Sequence, residues 1–131
     1  MQILLLAPTL QSVWYTVYMN SKQQSSIGIA RAISYFTNKG YSVFIPVSDC
    51  NRYDLLIDTG ENILRVEVKT TTQKSGQTEL RTLGGNQSWN GIIKFISSKD
   101  CDIVFIVNLI TGAEKEFLIE ELELRRTVTV K

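Results

Sequence analysis

The sequence predicts one α/β domain built on a mixed β-sheet, in the order helix, three strands, a loop with a short helix, then further strands. Three observations carry that expectation. A stretch from Ser25 repeats its apolar residues at helical spacing, the segment ILRVEVKT alternates strictly, and the run Ile103 to Leu109 is apolar throughout, so both its faces must be covered. At 131 residues, 44% of them hydrophobic, the chain buries about two thirds of its unfolded surface and holds a core without disulfides or structural metal.

The helix is read from Ile29, Ala30, Ile33 and Phe36, with Ser25 or Ser26 as cap and Gly40 as the stop. Tyr41, Val43 and Ile45 then alternate as a first strand, and Pro46 places it at an edge or at its end. Tyr53 to Asp58 and Ile63 to Thr70 follow as a hairpin across the turn Thr59-Gly60-Glu61-Asn62. Residues 71–91 are polar and glycine-rich, with a short extended piece from Thr78 to Thr82; a segment of that length is functional or mobile. Residues 92–99 are read as a short helix, Ile103 to Leu109 as a buried strand, and Phe117 to Ile119 as another after the Thr111-Gly112 turn. Glu120 to Leu124 makes a helical turn, and TVTV closes the chain as a last strand. Residues 1–20 are apolar but broken by Pro8, Gln11 and Ser12 and preceded by no base. They are read as an extension outside the domain, with Met19 as the natural start, rather than as a signal peptide or membrane span.

Composition narrows the chemistry. There is no histidine, which removes Ser-His-Asp and Cys-His catalysis, His-ligated zinc and any histidine base. Cys50 and Cys101 stand far apart without Cys-x-x-Cys spacing, as expected of free thiols in a reducing, cytoplasmic setting; Cys101 is read as a core thiol. Acid-base and metal chemistry must therefore come from carboxylates and lysine.

On ILRVEVKT the period of two sends Leu64, Val66 and Val68 to the core and Arg65, Glu67 and Lys69 to the other face, with Glu67 and Lys69 about 6.6 Å apart. A turn centred on Gly60 and Glu61 sets Asp54 opposite Glu67, with Cβ atoms about 5 Å apart. A slip of one residue would undo this cluster. Two carboxylates so close call for a positive partner, and magnesium, which takes one or two carboxylates and leaves room for phosphate oxygens, suits them. Lys69 beside such an ion could orient a water or stabilise transition-state charge, making a phosphodiester-cleaving site. The plain alternative is a solvated strand face with an Asp54–Lys69 ion pair, contributing at most about 1 kcal/mol.

Asp54, twelve intervening residues and then Glu67-Val68-Lys69, on consecutive strands after a helix, resemble the PD-(D/E)xK nuclease superfamily with its restriction-endonuclease-like fold. The segment KGYSVFIPVSDCNRYDLLIDTGENILRVEVKT is most similar to the subgroup of small group I intron homing endonucleases and Holliday-junction resolvase relatives. The resemblance covers Ser21 to Lys131 and implies an αβββαβ core flanked by helices, Mg2+, double-stranded DNA as substrate, and a homodimer or homotetramer in a bacterial or phage-infected cell. It makes Asp54 and Glu67 metal ligands, the Val68 carbonyl a third ligand, and Lys69 the catalytic lysine. Two departures stand out: Tyr53 replaces the proline before Asp54, and Ile29 occupies the helix position where many relatives carry an acid. A resolvase, or a DNA-binding module that has lost the chemistry, are the alternatives.

Charge supports a nucleic-acid surface. Between residues 65 and 99, Arg65, Lys69, Lys74, Arg81, Lys94 and Lys99 face only Glu67 and Glu79. The DNA-contact candidates are Lys22, Arg52, Lys74, Arg81, Asn86, Gln87 and Lys94, with Trp89 favoured for packing.

Overall fold

The computed structural model describes residues 19–82 and 94–131. Helix α1 spans Ser21–Asn38, one turn earlier than its apolar periodicity announces. The cause is a capping box: the Asn20 side chain accepts from the Gln23 N–H at 2.9 Å and Gln23 Oε1 accepts from the Asn20 N–H at 3.1 Å. The added turn is wholly polar, so hydrophobic spacing could not reveal it. At the other end Gly40, at φ +85°, donates to the Thr37 carbonyl while the Tyr41 N–H reaches Phe36, the Schellman arrangement that ends a helix.

Strands β1 (Ser42–Phe44), β2 (Leu55–Asp58), β3 (Ile63–Thr71), β5 (Ile103–Asn108) and β6 (Glu114–Leu118) form one sheet in that order, with β1 at an edge as Pro46 implies. β2 and β3 pair antiparallel from Leu55↔Val66 to Asp58↔Ile63, the register the turn predicts. β3 and β5 run parallel from Val66↔Ile103 to Thr71↔Asn108, so the sheet is mixed. β4 (Gln77–Glu79) and β7 (Thr127–Thr129) pair with each other in a separate two-stranded sheet.

Three expectations change. Described residues 94–99 hold no helix: Phe95 bridges to Arg81, and a turn follows. The strand expected at Phe117 starts at Glu114, because β6 pairs along nearly the whole of β5. The helical turn is a 3-10 turn over Ile119–Leu122. Between β3 and β5 the described residues carry β4, and α1 is the one α-helix among the described residues.

A core lies on each face of the large sheet. Ala32 and Phe36 of α1 pack on Leu55, Ile57, Val66, Ile103, Phe105 and Val107. On the far face Val104, Ile106 and Phe117 meet Val128 of the small sheet and its flanking residues Leu80 and Val130. β5 is therefore buried at every residue, as its unbroken apolar run requires. Gly28 sets the height of α1 over β3: a Cβ there would lie 2.6 Å from Thr70 Cγ2 and 3.2 Å from Val68 Cγ1. Its absence lets the first turns of the helix settle against the C-terminal half of β3.

Candidate active site

β2 stops pairing at Leu55↔Val66, whereas β3 continues to Thr71. The Asp54 N–H donates to the Val66 carbonyl at 2.9 Å, and the Asp54 carboxylate then takes over where the ladder ends, Oδ2 accepting from the Val68 N–H at 2.7 Å. Backbone N–H and C=O of one strand residue point to the same edge, so the Val68 carbonyl also faces the Asp54 side, past the end of β2.

Glu67 and Lys69 leave β3 on the face opposite α1, beside Val104 and Ile106 in the register. Lys69 Nζ lies 3.6 Å from Glu67 Oε1, and both side chains are largely buried, at 18% and 15% exposure. Burial first, and the Asp54 charge second, push the Glu67 carboxyl up to about 8, against the opposing pull of Lys69. Burial also raises Asp54, offset in part by the Val68 N–H and by Lys69. One lysine thus faces two crowded carboxyls, an arrangement that favours a further cation. Asp54, Glu67 and the Val68 carbonyl could hold it. They are hard oxygen donors and include only two carboxylates, which fits magnesium. Among the described residues no group of three or more His, Cys, Asp or Glu converges, so a site built wholly of such side chains is not formed there.

A polar groove of about 610 Å³ begins at Lys69. Ser21, Gln24 and Ser25 of α1 form one wall, and Gln73, Gln77 and Glu79 form part of the other. None of the helix residues lining it is acidic, and Ile29 is not among them. The helix residues that border the groove are Ser21, Gln24 and Ser25. Ser21 and Gln24 lie in the first turn, which apolar spacing leaves out, and Ser25, a candidate cap in the sequence, is inside the helix; the Asn20-x-x-Gln23 capping box was the available signal.

The remaining predicted positions scatter. Lys22 is exposed on the first turn of α1, next to the groove wall, and Lys74 is exposed beside Gln73. Arg81 is ion-paired to Glu79 at 2.8 Å, at the rim of the groove. Lys94 is exposed and its carbonyl accepts from the Thr82 N–H at 3.0 Å. Arg52 is held by buried Asp100 at 3.0 Å. Asn86, Gln87 and Trp89 lie outside the described residues. Cys101 is buried in the core, where burial pushes its thiol up to about 12, as fits a packing residue.

A family model described as PD-(D/E)XK endonuclease matches residues 19–120. The chain belongs to the PD-(D/E)XK endonuclease family. Its fold is also similar to that of a solved structure, "a bacterial homing endonuclease: I-Ssp6803I", with TM-score 0.73 and 19% identity over 86% of this chain and 79% of that one. No curated protein matches the chain. The restriction-endonuclease-like fold and the family expected from the Asp54…Glu67-Val68-Lys69 pattern are thus both present. No described helix is long and apolar enough to cross a membrane.

Proposed function

We propose that this PD-(D/E)XK endonuclease hydrolyses phosphodiester bonds in double-stranded DNA with magnesium, through Asp54, Glu67 and Lys69, and that it is a homing-type enzyme acting as a homo-oligomer. The observation that carries the reading is the convergence of the three side chains where β2 gives way to the Asp54 carboxylate. The homing assignment is supported by the likeness to I-Ssp6803I, and the oligomer by the small number of base pairs one domain of this size can contact.

Asp54 and Glu67, with the Val68 carbonyl, would hold the ion, and when bound it supplies positive charge at the scissile phosphate. Every other role falls to the chain itself. Asp54 is fixed by the Val68 N–H, so its second oxygen is aimed without rotamer freedom. Glu67 would release to water the proton that burial and Asp54 make it retain, leaving its oxygens free to hold the ion. The Lys69 ammonium orients the attacking water and offsets the charge that grows on the phosphate oxygens as the water oxygen bonds to phosphorus and the P–O ester bond breaks.

The test is cleavage of supercoiled plasmid and phage DNA with magnesium, beside Asp54→Ala, Lys69→Ala and an EDTA arm, with a four-way junction as competitor. Cutting that needs the ion and both residues is expected. Undiminished cutting by Asp54→Ala or in EDTA would overturn the site. Preference for the junction over linear duplex would replace homing by junction resolution.

A further inference from the structure

The turn Ser97–Asp102, between residue 93 and β5, carries two aspartates, and each grips an arginine that stands two residues before one of the site carboxylates. Asp100, 4% exposed, accepts from Arg52 Nη1 at 3.0 Å through Oδ1, and its other oxygen accepts from the Ser97 N–H at 3.0 Å. Asp102 takes a forked pair from Arg65, Nε to Oδ2 at 3.0 Å and Nη2 to Oδ1 at 2.9 Å. The same guanidinium donates to the carbonyls of Ser98 and Lys99 at 2.9 and 3.0 Å, and the Arg65 N–H donates to Asp102 Oδ2 at 2.8 Å. Arg65 and Glu67 share a strand face; Arg52 and Asp54 share the short unpaired stretch leading into β2.

Asp54 is tied to β3 by its N–H to Val66 and its carboxylate to Val68, but residues 51–53 leading to it have no strand partner. The Ser97–Asp102 turn is bonded both to that approach and to β3, so one element braces both carboxylates. We propose that the Ser97–Asp102 turn is a clamp that sets the spacing of Asp54 and Glu67, with Asp100 and Asp102 as positioning residues acting through Arg52 and Arg65. This rests on Asp54 and Glu67 being the metal-holding pair. It also reassigns Arg52 from DNA contact to positioning. A charged residue engaged by a buried carboxylate is a poor phosphate anchor, because Asp100 already neutralises it and lies close to where a phosphate would sit.

Arg52 decides the matter experimentally, because its side chain is 65% exposed and its loss does not open the core. The full chain is compared with Arg52→Ala, Arg52→Lys, Asp100→Asn and the double variant Arg52→Ala/Asp100→Asn, each checked for an unchanged unfolding temperature. Manganese(II) affinity is measured by calorimetry on the protein alone, and kcat and KM on cleaved DNA. Arg52→Ala and Asp100→Asn should each lower kcat and manganese affinity about 10- to 100-fold with KM near wild type. The double variant should be no worse than either single one, since both break one contact. Arg52→Lys should restore both, because a single Nη1 contact can be made by an ammonium. Arg65→Lys should not, since no ammonium reproduces the fork.

A raised KM with kcat and manganese affinity intact in Arg52→Ala, and tighter DNA binding in Asp100→Asn, would make Arg52 a phosphate contact and overturn the clamp. Wild-type values throughout would overturn it equally. Asp54→Ala, run alongside, separates the two readings. If it still binds manganese and cuts, the site falls and the clamp with it; if it is inert while the Arg52 variants behave as wild type, the clamp alone falls.

Discussion

The two halves of β3 are built alike in sequence and differently in space. Up to Val66 one edge is closed by β2 and the other is held by Asp102 and the start of β5. From Glu67 to Thr71 only the β5 edge is laddered, and the β2 edge is met by the Asp54 carboxylate. The open half carries groups that a ladder would have consumed, and there two carboxyls and a lysine crowd together. A strand that outlasts its partner by a few residues thus leaves an edge at which candidate site groups can gather.

The sharpest way to break that contrast is Lys69→Ala. It should reduce cleavage by at least about 10²- to 10³-fold while leaving urea unfolding nearly unchanged. In the closed half Leu55→Ala should do the reverse, lowering stability by about 2–5 kcal/mol in denaturant titrations, because Leu55 is fully buried, while the rate of the remaining folded protein stays near wild type.

An intermediate effect comes from the Glu67 proton. The folded, metal-free chain holds it up to about pH 8, whereas an ordinary glutamate releases it near 4.5. Stability from this group is therefore complete below about pH 4.5 and is lost as pH rises through 8. Glu67→Gln should match the wild type in acid and unfold at a higher temperature above pH 8, yet cut no DNA. Magnesium should raise the wild-type unfolding temperature at that pH and leave the variant unmoved. Equal pH profiles for the two would show that the open half does not hold a strained carboxyl.

The smallest effect belongs to the rim. Lys74→Ala should raise KM and flatten the salt dependence by about one unit of slope for one phosphate contact, with kcat unchanged.

Much of this was legible because it is local. The Gly60 turn fixed the hairpin register, and alternation alone placed Glu67 and Lys69 together. The turn register placed Asp54 opposite Glu67, whereas the ladder ends at Leu55↔Val66 and Asp54 is tied otherwise: its N–H binds Val66 and its side chain reaches Val68. The first turn of α1 was hidden because capping, not burial, stabilises it. The pairing of β4 with β7, three residues each and far apart in the chain, was hidden because so short an alternation specifies no partner. Arg52 read as a free base because its partner, Asp100, lies on the far side of the β3 crossover.

The parallel pairing of β3 with β5 also orders events in time. The hairpin carrying Asp54 and Glu67 closes over a four-residue turn, and needs nothing made later. The β5 ladder requires the chain to return to β3 across more than thirty residues after Thr71, which is slow because loop entropy is lost before any contact compensates for it. During synthesis the acidic pair therefore emerges well before β5 can dock beneath it. On the proposed reading, the nascent chain carries its acidic pair before the sheet that frames it has formed.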